Sequence, residues 1–225
     1  MKLSEVILRS HQLEEIKGFY GTLLGLDVLE DQPLKISFQA GSTRFTFCKA
    51  SMNEQTHYHI AFTIPTNKYS EAKQWLNGRG ISLFSKDGQN EFIFENWNAT
   101  AMYFYDPDGN LVEFIAHHTL NNSTNEVFGP QHLLRISEIG LPSDNVSQAA
   151  QDLKDNFGLE LWSGDGVQFA ALGDAEGLLI VVDKQRLWFP DGSTPGIFET
   201  KVTMEGTNLG RIVLQSGLYE ISNLK

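Results

Sequence analysis

Cysteine is nearly missing from this sequence: one residue, Cys48, in 225. A single thiol excludes a disulfide framework within the chain and fits a reducing compartment. Positive charge is also scarce, with 17 Lys and Arg against 28 Asp and Glu, a formal net charge of −11. Nucleic acids and anionic membrane surfaces are bound through basic patches that displace counterions, so this balance argues against both. No run approaches the roughly 18 apolar residues that a membrane span needs. The opening Met1-Lys2-Leu3-Ser4-Glu5 lacks the apolar stretch of a signal peptide. The expectation is a cytoplasmic protein whose partners are small molecules, with no nucleic acid and no membrane among them.

What the sequence does contain is enough apolar material for a core, 41% hydrophobic and 11% aromatic residues. It also contains a repeat. Ser4-Glu5-Val6-Ile7-Leu8 matches Ser137-Glu138-Ile139-Gly140-Leu141 at an offset of 133, and Gly25-Leu26 matches Gly158-Leu159 at the same offset. Each copy reads as a short strand, then apolar residues at helical spacing (Leu13, Ile16, Phe19, Leu23; Val146, Ala149, Leu153, Phe157), then a glycine where helices often stop. A third copy begins at His59-Ile60-Ala61-Phe62, at offset 54 from Glu5, with Tyr69, Ala72, Trp75 and Leu76 as its helix.

Short strand-like runs follow each helix: Val28 to Asp31, Leu34 to Ala40 and Arg44 to Ala50 in the first unit. In the second unit they are Ser82 to Ser85, Glu91 to Phe94, Thr100 to Tyr105 and Asn110 to Ala116, the last two joined by the turn Asp106-Pro107-Asp108-Gly109. A further unit spans Leu133 to about Lys184, and a last one from Gly196 has no room for a helix between Glu205 and Gly210. The polar stretch Asn121 to Pro130 marks a boundary, giving halves at 1–120 and 131–225. The expected class is α+β: repeated βαβββ modules forming mixed β-sheets with helices on one face, the fourth module truncated.

Alternate side chains on a strand face opposite ways. If Ile60, Phe62 and Ile64 pack under the helix, His57, His59, Ala61 and Thr63 face away from it. By the same rule Val112 and Phe114 face the helices while Leu111, Glu113, Ile115 and His117 lie opposite, and Val6 and Leu8 leave Glu5, Ile7 and Arg9 open. Ionisable groups in apolar strands are costly unless paired or coordinated. One imidazole and two carboxylates suit a divalent first-row metal, so His59, Glu113 and Glu5 are candidate ligands if the units share a sheet. Glu138 repeats Glu5 in the third unit, where no His and Glu partners accompany it. His57 is a candidate acid/base group or a rim histidine. Thr46 and Cys48, with Trp97, Tyr103 and Tyr105, are candidate pocket residues or ordinary packing.

Glu5-Val6-Ile7-Leu8, His59-Ile60-Ala61-Phe62 and Tyr103-Phe104-Tyr105-Asp106-Pro107-Asp108-Gly109-Asn110-Leu111-Val112-Glu113-Phe114-Ile115 together resemble the vicinal oxygen chelate superfamily of glyoxalases, bleomycin-resistance proteins and extradiol dioxygenases. The resemblance implies two modules forming a cup. It also implies a divalent metal (Fe, Mn, Ni, Co or Zn) on Glu5, His59 and Glu113, and a lyase, isomerase or dioxygenase reaction on a small oxygenated substrate. Glu113 and His57 are then the catalytic candidates. The superfamily commonly has His or Gln at the first position, where this chain has Glu5. A metal-free binding protein of the bleomycin-resistance type is the alternative. Cups are often completed by a second chain; here a third unit could take that place, so monomer and homodimer both remain open.

Overall fold

The computed structural model describes residues 1–51 and 55–224. The first unit is β1 (Lys2–Ser10), a helix, β2 (Asp27–Gln32), β3 (Lys35–Ala40) and β4 (Thr43–Lys49). The second is β5 (His59–Thr63), α2 (Tyr69–Gly78), β6 (Phe92–Phe94), β7 (Ala99–Tyr105) and β8 (Leu111–His117). The third is β9 (Arg135–Ser143), α3 (Val146–Phe157), β10 (Leu161–Gly164), β11 (Phe169–Asp174) and β12 (Gly177–Asp183). In the fourth, β13 (Thr200–Glu205) leads through residues 206–209 directly to β14 (Gly210–Leu214) and β15 (Tyr219–Asn223), so the module lacks its helix. The run Ser82 to Ser85, expected as a strand, forms none.

In every unit the first and last strands pair in parallel, β1 with β4, β5 with β8, β9 with β12 and β13 with β15. The remaining pairs are antiparallel, which makes both sheets mixed and the class α+β. Units then combine in a nested order. The first joins the fourth through β1 and β13, in the sheet β14-β15-β13-β1-β4-β3-β2. The second joins the third through β5 and β9, in the sheet β10-β11-β12-β9-β5-β8-β7-β6. Each sheet therefore draws strands from both sides of the 121–130 segment, and the halves 1–120 and 131–225 do not form separate layers.

The first helix departs from the simple 3.6-residue reading. After Leu13–Ile16 (α1) it continues as a π-helix over Lys17–Leu23. The wider turn moves the buried face from Phe19 and Leu23 to Tyr20 and Leu24, both fully buried. Tyr20 then sits among Phe38, Phe45 and Phe47 and reaches Phe62 of the other sheet at 6.4 Å. One apolar cluster thus spans the helix-facing sides of both sheets, including Val6, Leu8, Ile60, Phe62, Val112 and Phe114, as the alternation predicts. A second, smaller cluster of Ala61, Tyr103, Leu111, Ile115, Ile180 and Trp188 lies on the opposite face of the β5–β12 sheet. No helix among the described residues is long and apolar enough to cross a membrane.

Candidate metal centre

The Asp106-Pro107-Asp108-Gly109-Asn110 turn positions the site. Gly109 takes a positive φ of 80°, which its missing Cβ permits. The buried Asp106 carboxylate accepts four hydrogen bonds: from the Asp108 and Asn110 amides at 3.0 Å each, the Asn110 side chain at 2.7 Å and the Tyr20 hydroxyl at 2.9 Å. Asn110 in turn accepts from the Tyr58 amide at 2.7 Å, and the Leu111 amide donates to the Tyr58 carbonyl at 2.8 Å. The turn thereby locks the start of β8 to the start of β5 and sets His59 opposite Leu111.

His59 Nδ1 lies 3.3 Å from the Leu111 carbonyl. A carbonyl only accepts, so this contact assigns the proton to Nδ1 and leaves the Nε2 lone pair facing the cup. Two carboxylates meet it there: Glu113 at 3.5 Å and Glu138 at 3.9 Å. Glu113 arrives from the neighbouring β8. Glu138 arrives from β9, where the register with β5 jumps between Ala61/Glu138 and Phe62/Ile136. The bulge leaves Ser137 as the extra residue, so that Ile136 and Ile139 both point into the main core while Glu138 points into the cup.

His59, Glu113 and Glu138 are 6%, 2% and 2% exposed, and one ligand atom from each lies within 4.8 Å of the others. The donor set therefore consists of a lone pair and two carboxylates, buried together and paired with no Lys or Arg among the described residues. Glu138 Oε1 has no hydrogen-bond partner among the described residues. Burying such a group without a positive charge is expensive, and a divalent cation would satisfy all three donors. The residues present fit a metal of the first-row divalent type. His117, also fully buried, faces Glu138 Oε1 across 3.9 Å and stacks on Trp97. Burial lowers its pKa, against the opposing charge of Glu138.

Burial raises the pKa of Glu113 well above its ordinary 4.5; the Glu138 charge adds to this and the Tyr103 hydroxyl opposes it. A carboxyl held protonated more firmly in the folded state contributes stability at low pH, which is lost as pH rises from the unfolded value through the folded one. The Glu113 contribution to the metal-free protein is therefore expected to fall away as pH climbs above about 4.5, and Glu113→Gln to remove that part of the pH dependence. Urea unfolding across pH measures both; an unchanged slope in the variant would refute the assignment.

The cup above these ligands is a cavity of about 330 Å³. Phe94, Trp97 and Tyr103 line it from the second unit, Phe169 and Ile180 from the third, and Arg186, Trp188 and Phe189 from the loop between β12 and β13. The Trp188 ring lies 5.2 Å from His59, tilted by 45° and packed over Gly140. A Cβ at Gly140 would come within 2.8 Å of the Trp188 ring and 3.1 Å of the His59 Cβ. Gly140→Ala is accordingly expected to displace the indole or the imidazole and weaken metal uptake about tenfold, the scale of losing support around a ligand. Titration with Zn(II) against a chromophoric chelator reads this.

Several residues singled out from the sequence lie elsewhere. Glu5 is in the other sheet, beside Arg44 at 3.4 Å, so it cannot join His59 and Glu113; β1 pairs with β13 and β4, never with β5. Thr46 and Cys48 follow it there. Thr46 is buried against the Ser37 hydroxyl at 2.8 Å, and Cys48 lies beside Arg9 and Glu199, away from the cup. His57 does not line the cavity: its Nε2 meets the Thr194 carbonyl at 2.9 Å and its ring packs edge-on to Phe198. Tyr105 is 43% exposed, and its hydroxyl donates to Asp191 at 2.8 Å, an interaction that helps push its pKa to about 12 after burial. His57 and Tyr105 thus anchor the loop that closes the cup. Trp97 and Tyr103 do line the cavity. Glu138 is the residue missed. Its signal was present: the cup-facing positions of β9 are Glu138, Gly140 and Pro142, where β1 has Glu5, Ile7 and Arg9, and the small residues leave space that Ile7 and Arg9 fill.

Comparison with known proteins bears on the fold. No family model matches the sequence, and no curated protein matches it. Among solved structures, a proposed dioxygenase from Bacillus subtilis aligns with a TM-score of 0.64 at 16% identity over 99% of this chain and 85% of its own. A glyoxalase I variant from Zea mays aligns with a TM-score of 0.62 at 11% identity over 99% of this chain and 93% of its own. Both likenesses span the whole chain, so this protein has the vicinal oxygen chelate fold, with all four modules carried on one chain.

Proposed function

We propose that this chain is a divalent-metal-dependent enzyme acting on a small oxygenated substrate in the cup, by a lyase, isomerase or ring-cleaving dioxygenase reaction. The observation that carries the reading is the convergence of His59, Glu113 and Glu138 on one point at the buried floor of an aromatic-lined cavity. These three residues would hold the ion through Nε2 and one oxygen of each carboxylate. The ion, when bound, supplies Lewis-acid polarisation of a substrate oxygen. The protein supplies the rest. The aromatic walls exclude water and so strengthen every charge interaction inside. Glu113, with the Tyr103 hydroxyl beside it, is the carboxylate placed to accept a proton from the substrate.

The test is metal analysis of protein purified without chelator, followed by oxygen-uptake assays with catechols on the loaded protein. About one ion per chain is expected. Oxygen uptake would select the dioxygenase branch, and its absence the proton-transfer branches. Protein that neither retains nor takes up Mn, Fe, Co, Ni or Zn would favour the second reading, a metal-free protein that sequesters planar compounds, for which the aromatic lining is the supporting observation.

A further inference from the structure

Arg186 stands apart from the other arginines of this acidic chain. Arg9, Arg44, Arg135 and Arg211 each pair with a glutamate, and Arg79 donates to the Leu23 carbonyl while lying over Trp75. Arg186 has no carboxylate partner among the described residues. Its guanidinium rests 4.8 Å above the Phe169 ring, on the wall of the cavity that holds His59, Glu113 and Glu138. The planar fork is thus held by stacking with its donors unspent.

Charge balance gives this placement meaning. The Arg186 guanidinium, partly buried on the cavity wall, pairs with none of the cup's own carboxylates among the described residues, so its charge is free for a ligand. A carboxylate on the ligand is the natural counterpart, because a guanidinium binds it through two parallel hydrogen bonds. The rest of the wall specifies shape: Phe94, Trp97, Trp188 and Phe189 present aromatic surface, and about 330 Å³ suits a single-ring compound.

We propose that Arg186 sets the specificity of this cup for a single-ring aromatic compound bearing vicinal oxygens and a carboxylate, the oxygens toward His59, Glu113 and Glu138 and the carboxylate toward Arg186. The oxygen half rests on the metal-centre reading; the carboxylate half does not. Arg186 comes from the loop anchored by Tyr105 to Asp191 and by His57 to Thr194, so its position is held independently of the ligands.

Quenching of the tryptophans on the cavity wall provides a readout independent of turnover. The probes are 3,4-dihydroxybenzoate, catechol and benzoate, each titrated with and without Mn(II). Wild-type protein is expected to bind 3,4-dihydroxybenzoate more tightly than catechol. Arg186→Gln should weaken 3,4-dihydroxybenzoate and benzoate about 10- to 100-fold, the range for a lost charged hydrogen-bond pair, and leave catechol within about twofold. Arg186→Lys, which keeps the charge but loses the fork, should fall between. Equal loss for all three probes, no loss for any, or no binding of the carboxylate probes by wild-type protein would overturn the assignment of Arg186. Failure of Mn(II) to tighten catechol or 3,4-dihydroxybenzoate, with the Arg186 dependence of benzoate intact, would overturn the metal-centre reading alone.

Discussion

Replacing Glu138 by alanine is expected to abolish tight divalent-metal binding, while replacing Glu5 is expected to leave it unchanged. The two residues occupy equivalent positions in β9 and β1 and share the same local sequence, Ser-Glu followed by a β-branched residue. Only Glu138 reaches His59, at 3.9 Å, whereas Glu5 lies beside Arg44 in the other sheet. Loss of a supporting contact around a ligand already costs about 10- to 100-fold in metal affinity, so loss of one of three ligands should cost roughly 100-fold or more. His59→Ala and Glu113→Ala should match Glu138→Ala. Competition titration with Zn(II) or Mn(II) measures the series, and equal affinity in wild type and Glu138→Ala would sink the proposed centre. The apo protein offers a check of opposite sign. Two carboxylates buried at one point repel, so Glu138→Gln should stabilise the metal-free protein by roughly 1 kcal/mol or more while removing its metal. Metal at 100 times its dissociation constant should stabilise wild type by about 2.7 kcal/mol and the variant by almost nothing.

The second large effect is structural. Asp106→Ala would leave the Tyr20 hydroxyl, the Asn110 side chain and two turn amides without the acceptor they share. Unsatisfied buried donors cost about 1 to 3 kcal/mol each, and the loss is shared among groups that can partly relax, so a destabilisation of about 4 kcal/mol is expected in urea unfolding. Tyr20→Phe removes one of the four bonds and should cost about 1 kcal/mol. Because the turn also sets His59 opposite Leu111, Asp106→Ala should weaken metal binding even where the protein stays folded. A loss of under about 1 kcal/mol in Asp106→Ala would show that the turn is not the clamp described here.

These two predictions draw on different kinds of information. The clamp follows from a local motif: Pro, Gly and Asn at fixed offsets select a tight turn, and the turn's own side chains satisfy its amides. The helix–strand alternation, the missing fourth helix and the open faces carrying His59 and Glu113 are local in the same sense, since a period of two decides which way a side chain points. The π-turn that buries Tyr20 instead of Phe19 was less legible, because one extra residue in a turn shifts the face without changing composition.

By itself, then, the sequence determined the modules, their order and the orientation of two of the three converging residues, because backbone geometry and turn chemistry act over a few residues. Which modules share a sheet was decided only by the tertiary structure. β5 pairs with β9 and β1 with β13, and strand pairing depends on distant surfaces that fit, with Gly140 leaving room for Trp188 against His59. That pairing, and the bulge at Ser137 that turns Glu138 inward, place Glu138 rather than Glu5 beside His59 and Glu113.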